Sequence, residues 1–290
     1  GWGSLSKAFP NSDDSFVSDS WRSRNTELKD LLTDAEYSDV KASVTDSFYT
    51  PDFIISAMWA IAARLGQNNG VVLEPSCGNG KFIYQAPTPE NMRFVGVEKD
   101  SLSARIAKSI NHSNSYIFET GFEKLPLQQS CFDLVIGNPP YGDFSINLQD
   151  FLEYNKFSIH NQFILKSLKS LKNNRYAIYV VSRYVLDSTD TQARKEMSYM
   201  ADLVGAFRLP NGAFKDGATS NTEVITDILV FKRKCVNDED FARANYGKDY
   251  VSYPYWVNST VLSSDSGKGI FINQYFNENP SHVCGEISFK

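Results

Sequence analysis

A chain of 290 residues with 42% hydrophobic content can bury a sizeable core and is long enough for one large domain with extensions. A formal charge of −5 excludes binding to nucleic acid by attraction over the whole surface, because phosphate contacts need Lys and Arg; any such binding must be local. No run reaches the roughly 20 apolar residues of a membrane span and no basic-then-apolar leader opens the chain, so a soluble, cytoplasmic protein is expected.

Residues 1–47 are polar, with Trp2, Phe9, Phe16 and Trp21 as scattered anchors, and read as an extension laid over a larger body. Thr33 to Glu36 matches a capping box and predicts a helix start. Thr50 reads as an N-cap with Pro51 at the first helical position. Ile54, Ile55, Met58, Trp59, Ala62 and Leu65 then recur at helical spacing until Gly66.

From Val71, β-rich runs near 71–74, 93–97, 115–119, 133–136, 175–181, 202–208 and 224–232 alternate with helical stretches near 101–110 and 158–172. This order implies an α/β fold with a mostly parallel seven-stranded sheet covered by helices on both faces. The last two runs lack an intervening helix and suggest an antiparallel pair at one edge. The main domain is expected over 48–234, followed by a polar Tyr/Asn/Ser-rich extension, 235–290, that leads into further chain or packs on the core. Lys232, Arg233 and Lys234 read as a solvated strand end. Cys77, Cys131, Cys235 and Cys284 are too far apart for a zinc-type cluster or a disulfide framework, so reduced thiols and no metal are expected. His112, His160 and His282 are isolated and read as solvated or structural.

In open α/β sheets ligands bind beyond the carboxyl ends of the strands, so motifs there carry most weight. The run Val71-Val72-Leu73-Glu74-Pro75-Ser76-Cys77-Gly78-Asn79-Gly80 is an apolar strand that ends in an acid and a turn, and Gly78 and Gly80 let backbone approach a ligand. A second strand, Phe94-Val95-Gly96-Val97-Glu98, ends in a carboxylate suited to a vicinal diol. The turn lacks full G-x-G-x-x-G spacing and a phosphate-binding Lys, which favours an adenosine ligand without phosphates. In the third run, Phe132 to Gly142, a strand enters Asn138-Pro139-Pro140-Tyr141. The prolines remove backbone donors and leave carbonyls free, Asn138 adds a side-chain carbonyl, and Tyr141 adds a flat ring. That assembly suits the amino group of a planar base, whose lone pair it can turn toward an electrophile.

These three motifs resemble the class I N6-adenine DNA methyltransferases, with the cofactor motif ahead of the catalytic one. More narrowly, Gly1-Trp2-Gly3, Phe48-Tyr49-Thr50-Pro51, Arg208-Leu209-Pro210-Asn211 and Thr222-Glu223-Val224 resemble the methylase module of large helicase–methylase proteins of mobile genetic elements. The resemblance implies a Rossmann-like fold, S-adenosylmethionine as cofactor, an adenine flipped out of DNA as target, and a fused or separate specificity or helicase partner. It implies that Thr50, Glu74 and Ser76 hold the methionine part of the cofactor, Glu98 its ribose and Phe122 its adenine. Cys77, Gly78, Gly80, Asn138 and Pro140 would border the same molecule. Asn138 and the carbonyl of Pro139 would orient the target amine, while Tyr141 and Phe214 would lie against the base. One departure concerns the acid that many relatives carry just before the aromatic at Phe122; here the residue is Gly121, and Glu123 is the candidate substitute.

Asn-Pro-Pro-Tyr can also grip a planar amine or amide of RNA or of a protein glutamine. A DNA-binding scaffold that retained the fold without catalysis is a third reading. No segment is long enough to be an independent reader of base sequence.

Overall fold

A computed structural model describes residues 2–9, 18–44, 49–110, 112–214, 224–248, 250–263, 267 and 269–288. Gly1, Phe16, Phe48, Thr222 and Glu223, singled out above, lie outside the described residues, as does the side chain of Trp2.

The polar N-terminal part forms helices α1 (Asp19–Leu31) and α2 (Asp34–Ser43). The expected capping box opens α2: the Glu36 N–H donates to Thr33 Oγ1 at 3.3 Å, and the Thr33 N–H donates to the Glu36 carboxylate at 2.9 Å. Helix α3 (Asp52–Arg64) starts one residue later than the sequence suggested. Pro51 takes the N-cap and its carbonyl accepts from the Ile54 and Ile55 N–H groups, whereas the Thr50 carbonyl accepts from Lys81 Nζ at 3.3 Å. Gly66, at φ +73°, stops the helix as expected.

There follow β1 (Gly70–Glu74), α4 (Lys81–Tyr84), β2 (Met92–Glu98), α5 (Ser101–Ile110), β3 (Ser115–Glu119), β4 (Phe132–Gly137), α6 (Ile159–Ser170), β5 (Leu171–Ser182), α7 (Tyr184–Asp187), α8 (Gln192–Met200), β6 (Ala201–Arg208) and β7 (Thr226–Arg233). These strands form one seven-stranded sheet in the order β3-β2-β1-β4-β5-β7-β6, and β7 alone runs antiparallel to its neighbours. The mostly parallel sheet and the antiparallel edge agree with the sequence. Helix α6 was expected to reach residue 172, but it ends at Ser170 and the chain passes directly into β5. The basic run after β7 is also not a solvated end: Arg233 and Lys234 are buried. The Arg233 guanidinium pairs with Glu239, and Lys234 pairs with Asp202.

Successive strand residues go to opposite cores, as the two-residue period requires. Leu73, Val135, Ala177 and Tyr179 meet α6 and α8 on one face, while Val72, Leu134, Ile136 and Ile178 meet Ile55, Met58 and Trp59 of α3 on the other. The N-terminal helices add a small cluster around Ala8, Phe9, Val40 and Val44, which reaches Leu102 of α5; Glu36 pairs with Arg105 beside it. After β7 come α9 (Val236–Asn245), the hairpin β8 (Ser259–Ser263) and β9 (Gly269–Asn273), and α10 (Gln274–Glu278). Trp256, Val257, Ile272, Tyr275 and Phe276 of this segment join the first core.

The start of β1 is fixed by Asp133 on β4, which accepts from the Val71 N–H at 2.9 Å and from Lys172 Nζ at 2.8 Å. Burial works against the Asp133 carboxylate, but Lys172 and the Val71 N–H outweigh it and hold its pKa below the usual value. Gly70 has φ +102°, and a Cβ there would lie 2.6 Å from Asp133 Cγ. Gly70→Ala is therefore expected to destabilise the domain by about 1–3 kcal/mol, combining left-handed strain with a clash. Chemical denaturation will check this, and an unchanged midpoint would show that Asp133 can move away without loss.

Candidate active site

Chain order reverses in the sheet between β1 and β4: β2 and β3 lie to one side of β1, and β4 and β5 to the other. The carboxyl ends of adjacent parallel strands diverge there and leave a crevice. Glu74 ends β1, Glu98 ends β2, and Asn138 follows β4, so the three acid or amide tips meet at that crevice.

The turn after β1 is built around Glu98. Its carboxylate accepts from the Gly78 N–H and the Asp100 N–H, each at 2.8 Å, and the Cys77 N–H donates to the Val97 carbonyl at 2.9 Å. Burial raises the Glu98 pKa, and the two N–H groups oppose that rise. Gly78 has φ +54°, and an added Cβ would lie 3.1 Å from the Tyr49 ring, so this backbone is pressed between Tyr49 and the crevice. Tyr49 meets Ser103 Oγ at 3.3 Å through its hydroxyl, and burial pushes its pKa up to about 12. Ser76 Oγ donates to the Asn138 carbonyl at 2.8 Å, which joins the β1 turn to the β4 turn.

Two adjoining cavities occupy the crevice. The larger, about 740 Å³, is lined by Ser76, Gly78, Glu98, Phe122, Asn138, Pro139, Pro140, Tyr141 and Phe214, among others. Its lining includes several aromatic rings: Phe122, which packs on Phe163 with ring centroids 4.7 Å apart, Tyr141 and Phe214. Tyr141 donates its hydroxyl to the Val180 carbonyl at 3.4 Å, and burial raises its pKa. The smaller cavity is lined by Thr50, Glu74, Ser76, Cys77, Gly78 and Asn138. The predicted site residues thus converge, except Gly80, which lines neither cavity. It caps α4 at φ +81°, and its N–H donates to the Cys77 carbonyl at 2.7 Å; it shapes the turn.

Sequence reading missed the supports of the wall around Phe122. Lys166 of α6 is fully buried and donates to the carbonyls of Phe122 at 2.9 Å and Leu125 at 2.8 Å, and to Asp150 Oδ1 at 2.8 Å. Burial lowers its pKa and Asp150 counters that. Gln162, one turn earlier on α6, bonds both the N–H and the carbonyl of Ile146, at 2.8 and 2.7 Å. One buried helix face therefore holds two wall loops. The departure at Gly121 also has a structural counterpart: a Cβ there would lie 2.1 Å from Glu123 Oε1, so the Glu123 carboxylate occupies the space a side chain at 121 would take.

Glu74 supplies the test of a ligand. Its side chain is buried, and Oε2 has no hydrogen-bond partner among the described residues. Burial first, and then the charge of Glu98, raise its pKa well above the usual carboxylate value. A buried acceptor of this kind is costly unless a donor completes it, and a ligand ammonium would do so. The residues present thus fit a ligand with a cationic amino acid part, a diol and an apolar ring. Among the described residues no group of His, Cys, Asp and Glu could hold a metal ion.

This sheet order, with carboxylates at the tips of β1 and β2 and Asn-Pro-Pro-Tyr following β4, is a Rossmann-like α/β fold with its crevice at the carboxyl edge of the sheet. Over residues 81–203 the chain matches the family Eco57I restriction-modification methylase. It is 27% identical over 191 residues, 64% of this chain, to "Defense against restriction protein B" of Escherichia phage P1. It is 36% identical over 95 residues, 32% of this chain, to a type II methyltransferase, M.CvrRI, of Paramecium bursaria Chlorella virus XZ-6E. The chain spans 8% of the length of the former and 24% of the latter. Among solved structures, the N-methyltransferase NodS of Bradyrhizobium japonicum with S-adenosyl-L-homocysteine overlaps 80% of this chain and 97% of its own, at 12% identity and a TM-score of 0.44. No helix among the described residues is long and apolar enough to cross a membrane.

The raised Glu74 pKa sets a sign for ligand binding. A cation beside the carboxylate lowers that pKa, so binding should release a proton and strengthen as pH rises toward the free-state Glu74 pKa. Calorimetry of S-adenosylhomocysteine in buffers of different ionisation enthalpy should show this release in the wild type and its loss in Glu74→Gln, with affinity weaker by about 1.5–3 kcal/mol. Equal proton release by both proteins would place the ammonium elsewhere.

Proposed function

We propose that the domain transfers a methyl group from S-adenosylmethionine to the N6 amino group of adenine in DNA. The observation that carries this reading is the single crevice in which Asn138-Pro139-Pro140-Tyr141 stands beside Glu74 and Glu98, tied by the Ser76–Asn138 bond. The restriction-modification match and the resemblance of these motifs support DNA as the substrate.

S-adenosylmethionine, when bound, supplies an electrophilic methyl group. Thr50, Glu74 and Ser76 would hold its amino acid part, with Cys77 and Gly78 as the wall; Glu98 would accept from the ribose hydroxyls; and Phe122 would lie against its adenine. Glu123, whose carboxylate fills the space above Gly121, would accept from that adenine's amino group. Asn138 and Pro140 border the same space from β4.

On the target side, the Asn138 side-chain carbonyl and the Pro139 carbonyl would accept both hydrogens of the adenine amine. Its lone pair, otherwise delocalised into the ring, then points at the electrophile. Tyr141 and Phe214 would flank a base taken out of the duplex, each contributing about 1–3 kcal/mol by stacking. The Tyr141 hydroxyl also donates to the Val180 carbonyl at 3.4 Å, a long bond secondary to the ring itself. We assign the choice of DNA sequence to a specificity or helicase partner, fused or separate.

As nitrogen is methylated it becomes positive, so the Asn138 acceptor bonds best in the transition state and should act on turnover rather than substrate affinity. Asn138→Ala is expected to lower the single-turnover rate of adenine methylation by at least about a hundredfold, with DNA affinity little changed. A wild-type rate in that variant would sink the assignment. Tyr141→Phe should retain most of the rate, whereas Tyr141→Ala should lose base binding; the pair separates stacking from the hydroxyl's bond to Val180.

A further inference from the structure

The segment after β7 reads as a polar tail in sequence, yet it is bonded to the root of the loop that carries Phe214. That loop leaves β6 at Arg208, which is buried and pairs with Asp227 of β7 through two hydrogen bonds, at 2.8 and 2.9 Å. The same guanidinium donates to Asp187 of α7 at 2.9 Å and lies 4.3 Å from the centre of the Phe276 ring in α10. Asp187 in turn accepts from the Asn273 N–H at 2.9 Å. The Asn273 amide donates to the carbonyls of Leu186 and Trp256 at 2.8 and 2.9 Å.

Beyond Arg208 the loop has two flanks. On the sheet side, the Leu209 N–H donates to the Thr226 carbonyl at 2.8 Å. On the other side, the Cys284 N–H donates to the Arg208 carbonyl at 2.8 Å, the His282 ring stacks on Phe207 with centroids 4.8 Å apart, and Tyr275 meets His282 Nδ1 at 3.0 Å. A Cβ added at Gly285 would lie 3.7 Å from Pro210 Cβ, so the two backbones run close together. Phe207, Leu209 and Ala213 belong to the same apolar cluster as Phe214, so a displacement of Phe207 is passed on by packing to the cavity wall.

We propose that residues 273–285 are a positioning element of the active site: through His282, Cys284 and Asn273 they hold the 207–214 segment so that Phe214 stands against the target. His282 is a positioning residue on this account and touches neither cofactor nor base. The inference rests on the target-base reading of Phe214 but is tested independently of it.

The first experiment is hydrogen exchange of the backbone over 207–214 in His282→Ala and in Cys284→Pro, which deletes the N–H donated to Arg208. Exchange should quicken about three- to tenfold, the scale of one lost aromatic stack, and His282→Phe, which keeps a ring on Phe207, should restore protection. Affinity for S-adenosylhomocysteine should stay within about twofold of the wild type, as expected for sites without shared partners. Unchanged exchange in both variants overturns the proposal. The second experiment is a double-mutant cycle on single-turnover DNA methylation, in which His282→Ala should slow the wild type about three- to tenfold and change Phe214→Ala little. An equal loss in both backgrounds overturns the proposal in favour of general destabilisation. A wild type that methylates no adenine would refute the functional reading instead, and the exchange result would still decide the brace.

Discussion

The hydrogen bond from Ser76 Oγ to the Asn138 carbonyl joins the two halves of the crevice, and the rest of the site depends on the adjacency that permits it. Ser76 and Asn138 are 62 positions apart in the chain. They meet because β1 and β4 are neighbours in a parallel sheet, with Val72 opposite Leu134 and Leu73 opposite Val135. Parallel pairing sends both strands out at the same edge. Gly70 and Asp133 fix the other end of the pair, so the register is pinned at both ends. A slip of one residue would exchange the faces of every side chain on β1 and would take Glu74 and Ser76 away from Asn138.

Placing carboxylates at that edge has an electrostatic cost. Glu74 and Glu98 both have raised pKa values from burial; the charge of Glu98 adds to the rise at Glu74, and that of Asp100 to the rise at Glu98. Two backbone N–H groups relieve Glu98, whereas Glu74 Oε2 has no such partner among the described residues. Such an arrangement favours a cationic ligand over an anionic one, in keeping with a sulfonium cofactor that also bears an ammonium group.

Much of this was legible in the sequence where local chemistry decides structure. Strands ending in Glu74 and Glu98, the Asn-Pro-Pro turn and the capping box at Thr33 each rest on residues close in the chain, and each formed. What was missed depends on distant partners. Helix α1 is mostly polar and has no side-chain cap. The boundary between α6 and β5 carries no turn residue, and the change from helix to strand at Leu171 follows from pairing with β4. Lys166, Arg233 and Lys234 look solvated by type, but each is buried against carbonyl or carboxylate partners distant in the chain. The tail that braces Arg208 is similarly silent in sequence, because its contacts with Phe207 and Arg208 span 68 residues or more.

The central claim is that this crevice directs a methyl group to the N6 position of adenine in DNA. Its most direct test is incubation with methyl-labelled S-adenosylmethionine and, in parallel, duplex DNA, RNA and protein, followed by digestion and identification of the labelled product. The account predicts label in N6-methyldeoxyadenosine from the DNA arm. Label confined to RNA, to a glutamine side chain or to another base would contradict it.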